Sequence, residues 1–157
     1  MSRVEINRFK FLKVLAECNK HIKRLDYAFN KLYKNFDHPL SPENIIEVLD
    51  DDALVESLDQ ITYRFSKLQD SMGKVFKLFL ISNGENIENM TMIDIINLLE
   101  KIEINIDSNE WFELREIRNI IAHEYEDESE KIAGVINKIN EKRSYFKEIL
   151  KTLDRKA

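Results

Sequence analysis

The chain is poor in the residues that make several common chemistries possible. Its 157 residues include a single cysteine, Cys18, which excludes an internal disulfide and any cysteine-based zinc cluster. Three glycines (Gly73, Gly84, Gly134) and two prolines (Pro39, Pro42) leave few sites for β-turns or for breaks in a long helix. No glycine-rich loop exists to cradle a phosphate, which argues against an ordinary nucleotide-hydrolysing fold. The most apolar run, residues 75–82, is interrupted by Lys77, and no stretch approaches membrane-spanning length. Residues 1–13 mix charges with apolar side chains and lack the continuous apolar core of a targeting signal. A soluble protein of a reducing cytoplasm is the expectation.

Apolar and sulfur-bearing side chains make up 43 % of the sequence and charged ones 34 %. A disordered chain would carry fewer large apolar groups, and the length suits one domain spanning 1–157. The net charge of −5 argues against a protein that coats nucleic acid nonspecifically. That average hides segregation. Residues 1–36 carry +6 and residues 131–157 carry +5, whereas residues 37–60 carry −8. The first and last helices therefore present basic faces, which on charge alone are ordinary solvated helix surfaces.

Apolar periodicity sets the fold class. Phe11, Leu15, Cys18, Ile22, Leu25, Phe29, Leu32 and Phe36 alternate spacings of four and three, a helical stripe held for seven turns up to Asp37-His38-Pro39. Leu54, Leu58, Ile61, Phe65, Leu68, Met72, Val75 and Phe79 repeat the pattern after Asp50-Asp51-Asp52, which supply an N-cap and negative charge at the positive helix end. Between them Ser41-Pro42-Glu43 allows a short helical turn. Thr91 with Asp94 starts a third helix ending near Ile102, and Asp107 with Glu110 starts a fourth. A fifth begins near Asp127 and carries Ile132, Val135, Ile136, Ile139, Phe146, Leu150 and Leu153. The expectation is an all-α antiparallel bundle of about five helices with two long N-terminal ones. A parallel coiled coil would also use such stripes, but the polar connections favour a chain folded back on itself.

The fourth helix carries the side chains with chemical potential. Trp111, Leu114, Arg118, Ile121 and Tyr125 form a core-like stripe with an arginine at its centre, and a guanidinium among apolar groups needs a partner. Phe112, Glu116, Asn119 and His123 form a second stripe, in which Asn119 lies one turn before His123 and can fix its imidazole. Arg118 and His123 point about 140° apart on an ideal helix, so they converge only at a loosened helix end or across two subunits. On spacing alone the plain alternative is structural: Arg118 pairs with Glu116 or another neighbour, and His123 caps a carbonyl. His123-Glu124 lacks the second histidine of a zinc-binding helix. His21 and His38 have no partner visible in the sequence, and no nucleophile triad has a local signature.

Arg118-Asn119-Ile120-Ile121-Ala122-His123-Glu124-Tyr125 resembles the R-x4-H-x-Y pattern of HEPN-domain ribonucleases, in particular the HepT-like toxins. The preceding Leu114-Arg115-Glu116-Ile117 and the asparagine after the arginine are similar to that family too, as is the helix order over most of the chain. The resemblance implies a homodimer whose two motifs meet in a cleft and cut RNA without a metal or other cofactor. Arg118 and His123 would be catalytic and Asn119 supporting. It also implies a minimal nucleotidyltransferase antitoxin that silences the toxin by transferring AMP to Tyr125. The acidic residues Glu124, Glu126, Asp127, Glu128 and Glu130 beside the motif would repel phosphate unless Lys131, Lys138 or the basic first helix offsets them.

The residue chemistry suits that expectation. RNA cleavage needs a base for the 2′-hydroxyl proton, an acid for the leaving oxygen and a cation on the phosphate. Histidine titrates near neutrality and serves either proton transfer, and a planar guanidinium suits the charged phosphorane. Two other readings stay open: a noncatalytic HEPN module that binds nucleotide or substrate for a nucleotidyltransferase, and a helical scaffold in which the motif is accidental.

Overall fold

The computed structural model describes residues 2–123 and 128–157, with the side chain of His123 outside that description. Among the described residues the fold is all-helical, with α1 Arg3–Leu32, α2 Pro42–Leu49, α3 Asp52–Ser82, α4 Met92–Lys101, α5 Ser108–His123 and α6 Ser129–Lys156. The helix beyond the expected five is α2, at the Ser41-Pro42-Glu43 turn. Ser41 and Asn44 form a reciprocal capping box, Pro42 occupies a first-turn position, and Ile45 and Val48 are buried. Two buried residues are too few to register as a stripe, so only the cap was visible in the sequence.

Helices α1 and α3 form the expected antiparallel hairpin. The Phe11 and Phe79 rings lie 5.9 Å apart near one end, and Arg64 approaches His21 Nδ1 at 3.1 Å further along. Every member of the first stripe is buried except Phe36. Helix α1 stops at Leu32, and the Tyr33 N–H donates to the Phe29 carbonyl. Phe36 therefore packs from the connection and not from a seventh helical turn. Leu40 seals that end instead: the Asn137 amide accepts from its N–H at 2.8 Å and donates to its carbonyl at 2.9 Å. This side chain on α6 thus satisfies both backbone groups of a buried loop residue.

Helix α6 runs antiparallel to α1 and parallel to α3. Its Arg143 and Lys147 reach Asp26 of α1 at 2.9 and 2.7 Å, and the Arg143 guanidinium lies 4.4 Å from the Phe29 ring centre. Phe146 meets Phe65 of α3. Three turns further along α3, Phe76 packs edge-on against Trp111 of α5. Buried residues of all six helices join one core. Among the described residues no helix is long and apolar enough to cross a membrane.

Two helix ends use the same device with different residues. After α3, the Gly84 N–H donates to Ile81 and the Glu85 N–H to Leu80, with Gly84 at φ 85°. After α4, Glu103 and Ile104 donate to Glu100 and Leu99 in the same pattern, but Glu103 holds φ 68° with a full side chain. A left-handed position costs an L-residue roughly 1 kcal/mol, which glycine avoids. Glu103→Gly is therefore expected to stabilise the protein by about 0.5–1 kcal/mol, a melting increase of about 1–4 °C. Thermal denaturation followed by circular dichroism checks it, and a lower melting temperature would show that the Glu103 side chain contributes more than its backbone costs.

Candidate active site

Helix α5 is fixed at its start by Asp107, whose carboxylate accepts from the Glu110 N–H at 2.8 Å. From there Trp111, Leu114 and Ile117 turn into the core, all at most 5 % exposed, while Ile120 and Ile121 pack partly against it. This corrects the expected stripe. The core follows a spacing of three and three, which puts Ile117 inside and leaves Arg118 at the boundary with a side chain 42 % exposed. Arg118 is thus not an arginine trapped among apolar groups. Its guanidinium forks onto Asp70 of α3, with one terminal nitrogen contacting Oδ1 and the other 3.1 Å from Oδ2. The partner is an acid on the facing helix, 48 positions earlier in the chain, and not Glu116 on its own helix.

Asn119 is exposed, one turn before the helix terminates at His123. The His123 side chain and residues 124–127, which include Tyr125 and most of the acidic run, lie outside the described residues. The expected Asn119–His123 contact and the Arg118–Tyr125 separation fall there as well. Of the acidic run, Glu128 and Glu130 are described, with Glu128 3.4 Å from Lys131 and Glu130 in the first turn of α6. Lys138, expected to offset the run, instead contacts Glu113 of α5 at 2.9 Å, and that hydrogen bond lowers the Glu113 carboxyl below its ordinary pKa. Lys138 is therefore engaged in joining α5 to α6.

The cation that faces open space comes from elsewhere. A cleft of about 290 Å³ opens between α3 and α5, with Arg118 and Asp70 in its wall together with Lys74, Lys77 and Arg115. Asp70, Lys74 and Lys77 sit four and three apart on one face of α3, and Arg115 and Arg118 three apart on α5. Lys74, Lys77 and Arg115 are exposed and make no ion pair among the described residues. Among the described residues four cations and one carboxylate thus converge between α3 and the motif helix. The sequence did carry the signal: Lys77 interrupts the most apolar run of the chain, and Lys74 lies one turn before it.

The remaining candidates are accounted for by packing. His21 accepts or shares a hydrogen bond with Arg64, and burial, then the Arg64 charge, lower its pKa. His38 stacks on Tyr33 at 5.2 Å. Both have partners that their sequence neighbourhood did not reveal. Burial pushes the Cys18 thiol up to about 12, which makes it a core residue and not a nucleophile. Among the described residues no three histidine, cysteine, aspartate or glutamate side chains are arranged to hold a metal ion.

Comparison of the chain with protein-family models, with curated proteins and with solved structures finds no match. The geometry and the residue chemistry therefore carry the functional argument.

The Asp70–Arg118 pair is exposed on both sides, so its contribution to stability is small. Asp70→Asn is expected to change stability by less than about 1 kcal/mol, a melting shift of no more than about 4 °C. A larger drop in a thermal melt would make the pair a structural clamp between α3 and α5.

Proposed function

We propose that this protein is a HepT-like ribonuclease of the HEPN class, working as a homodimer in the cytoplasm and serving as the toxin of a toxin–antitoxin pair. The observation that carries the reading is the position of Arg118. Its guanidinium is exposed, oriented by a bidentate carboxylate, and part of a cationic cleft on the same helix that ends at His123. A planar fork of this kind matches the oxygens of a phosphodiester.

In the proposed reaction one His123 imidazole takes the proton from a ribose 2′-hydroxyl. The resulting oxygen attacks the adjacent phosphorus, and the P–O5′ bond breaks. The second His123 of a dimer, in its protonated form, gives a proton to the departing 5′-oxygen. Products are a 2′,3′-cyclic phosphate and a free 5′-hydroxyl, with no net proton consumed. Arg118 neutralises the extra negative charge of the phosphorane, and Asn119 holds the imidazole. A dimer suits the surroundings of the motif. An apolar groove of about 340 Å³ between α5 and α6, walled by Ile117, Ile120 and Val135 and rimmed by Glu113 and Lys138, adjoins the helix and is suited to a second copy.

A second reading, a HEPN module that holds nucleotide or substrate without cutting it, would use the same Arg118 cleft. The two readings part on turnover. His123→Ala is expected to reduce RNA cleavage by about 10²-fold or more with the helical circular dichroism unchanged. Arg118→Lys should fail almost as badly as Arg118→Ala, because a point charge cannot replace the fork. Sequencing RNA ends after induction of wild type and each variant reads both. Unchanged cleavage by a folded His123→Ala variant would remove the catalytic reading.

Silencing is proposed to act through Tyr125, whose phenol would accept AMP from a minimal nucleotidyltransferase with release of pyrophosphate from ATP. On a continued helix Tyr125 would lie about 10 Å beyond Arg118 on the same side, so the added phosphate would occupy the anion site intended for RNA. Co-expression with the cognate nucleotidyltransferase should add one or more AMP masses to the intact chain and none to Tyr125→Phe. A phenylalanine variant still neutralised by the partner would show that complex formation alone silences the toxin.

A further inference from the structure

The cleft between α3 and α5 contains two buried polar groups that the fold leaves without partners. Gln69 is 4 % exposed, lies on α3 between the core residues Leu68 and Met72, and lines the cleft. Neither its amide oxygen nor its amide nitrogen makes a hydrogen bond. Trp111 is 3 % exposed, lines the same cleft from α5, and its indole N–H is also unpartnered. Buried polar groups are nearly always paired, and a tryptophan N–H usually finds an acceptor when it is buried. Three unmet hydrogen-bonding atoms, each with less than 1 Å² open to water, thus belong to two side chains that line one opening, and we take them as groups for which a ligand supplies the partners. At the rim stand Lys74, Lys77 and Arg115, which make no ion pair among the described residues.

We infer that the α3–α5 cleft is a single-nucleotide site in which Gln69 and the Trp111 indole N–H hold the edge of a base while Lys74, Lys77 and Arg115 hold its phosphate. The choice of a nucleotide among phosphorylated ligands rests on the ribonuclease reading; the unmet donors, acceptor and cations do not. Three features favour this occupant. The cleft, about 290 Å³, is at the small end of ligand sites, which suits one nucleotide and not a folded segment. An amide presents a donor beside an acceptor, and glutamine pairs in this way with the amine and ring nitrogen of adenine. Cations on the exposed rim with polar groups deeper in the wall match a ligand charged at one end and polar at the other. Gly73 lies one turn past Gln69 in the same wall, and a methyl added there would stand 3.5 Å from the Met92 methyl group, an ordinary contact.

The site therefore reads one base of an RNA chain, or a free nucleotide of the same chemistry, next to the Arg118 fork. Sequence preference in cleavage then comes from the base in this cleft. Arg118 acts on the scissile phosphate, whereas Gln69 never touches the reacting atoms.

Trp111 is the chain's only tryptophan, so its emission reports on this cleft alone. The purified full chain is titrated with AMP, adenosine, inorganic phosphate and a short oligoadenylate. Saturable changes are expected with AMP and with oligoadenylate, and adenosine or phosphate alone should bind at least about tenfold more weakly, since each leaves half the contacts unmade. Equal response to AMP and oligoadenylate means free nucleotide is accepted; preference for the oligomer means the RNA chain is the source, and both support the site. Gln69→Leu should lose about tenfold or more in AMP affinity while melting at the same or a higher temperature, because it removes an unpaired buried amide. A purely structural glutamine would show the reverse, a lower melting temperature with affinity retained. Arg115→Glu, on the surface, should weaken AMP and leave adenosine unchanged even if the Gln69 variant does not fold. No saturable response to AMP or oligoadenylate at millimolar concentration, by emission and by calorimetry, overturns the site. So does phosphate binding as tightly as AMP, which would make the cleft an anion site without base recognition. Cleavage without any nucleotide response removes this inference and leaves the ribonuclease reading; nucleotide binding by a chain that cuts no RNA does the opposite.

Discussion

Burial of α3 from two sides constrains everything else in the molecule. Its stripe from Leu58 to Phe79 packs along α1, while Phe65 and Phe76 also receive Phe146 of α6 and Trp111 of α5. A helix clasped in this way cannot rotate without moving both neighbours, because protein interiors are packed too densely to slip gradually. Its remaining face is held in register as a consequence. Asp70, Lys74 and Lys77 have fixed positions because Leu68, Met72, Val75 and Phe79 on the same helix are locked in the core. The cationic cleft is therefore a by-product of core packing in its geometry, though not in its composition.

Much of this was legible in the sequence. Stripes of eight apolar residues spaced four and three have few other physical solutions than long paired helices, and the caps at Asp51, Thr91 and Asp107 are local hydrogen bonds that short-range sequence determines. Two features were misread because they depend on a tertiary neighbour. Phe36 continues the first stripe by spacing, yet the helix ends at Leu32, and Leu40 closes that end of the core from the connection, pinned by Asn137 of α6. Arg118 continues the α5 stripe by spacing, yet Ile117 occupies the core, because the face that α5 buries is chosen by α3 and α6 and not by α5 alone. A period of 3.6 residues leaves adjacent positions only 100° apart, so an arginine beside an isoleucine could have been on either side of the boundary. Asp70 has no sequence relation to Arg118 at all, and Gln69 looks like an unremarkable polar break in a core row.

Electrostatics around α5 divide into two faces. On the α6 side, Lys138 and Lys142 meet Glu113, and Lys142 also approaches Glu110, so opposite charges are spent holding helices together. On the α3 side the cations outnumber the one carboxylate. A chain with a net charge of −5 therefore has a local surface attractive to anions, and field focusing in a cleft makes that local sign matter more than the total. Of the acidic run that argued against a phosphate site from sequence, Glu128 and Glu130 stand at the start of α6, while the described residues of α5 that line the cleft are Trp111, Arg115 and Arg118.

Asp70 then has a role that follows from its exposure. A buried carboxylate would hold Arg118 too tightly to release, since separating a desolvated pair leaves a costly unpaired charge. An absent one would leave a long flexible side chain to be ordered on binding, an entropic cost that falls on the ligand. With both members about two-fifths exposed, water screens the pair and its net worth is small, yet the fork still has one preferred orientation. Under the proposed ribonuclease reading, an incoming phosphodiester offers the same bidentate geometry as the carboxylate it displaces. On that reading the exchange is nearly neutral at Arg118 itself, and the net attraction comes from Lys74, Lys77 and Arg115, which have no ion-pair partner among the described residues to give up. Under the ribonuclease reading, affinity and orientation thus reside in different residues: the free cations draw the backbone in, and the paired arginine is aimed before it arrives.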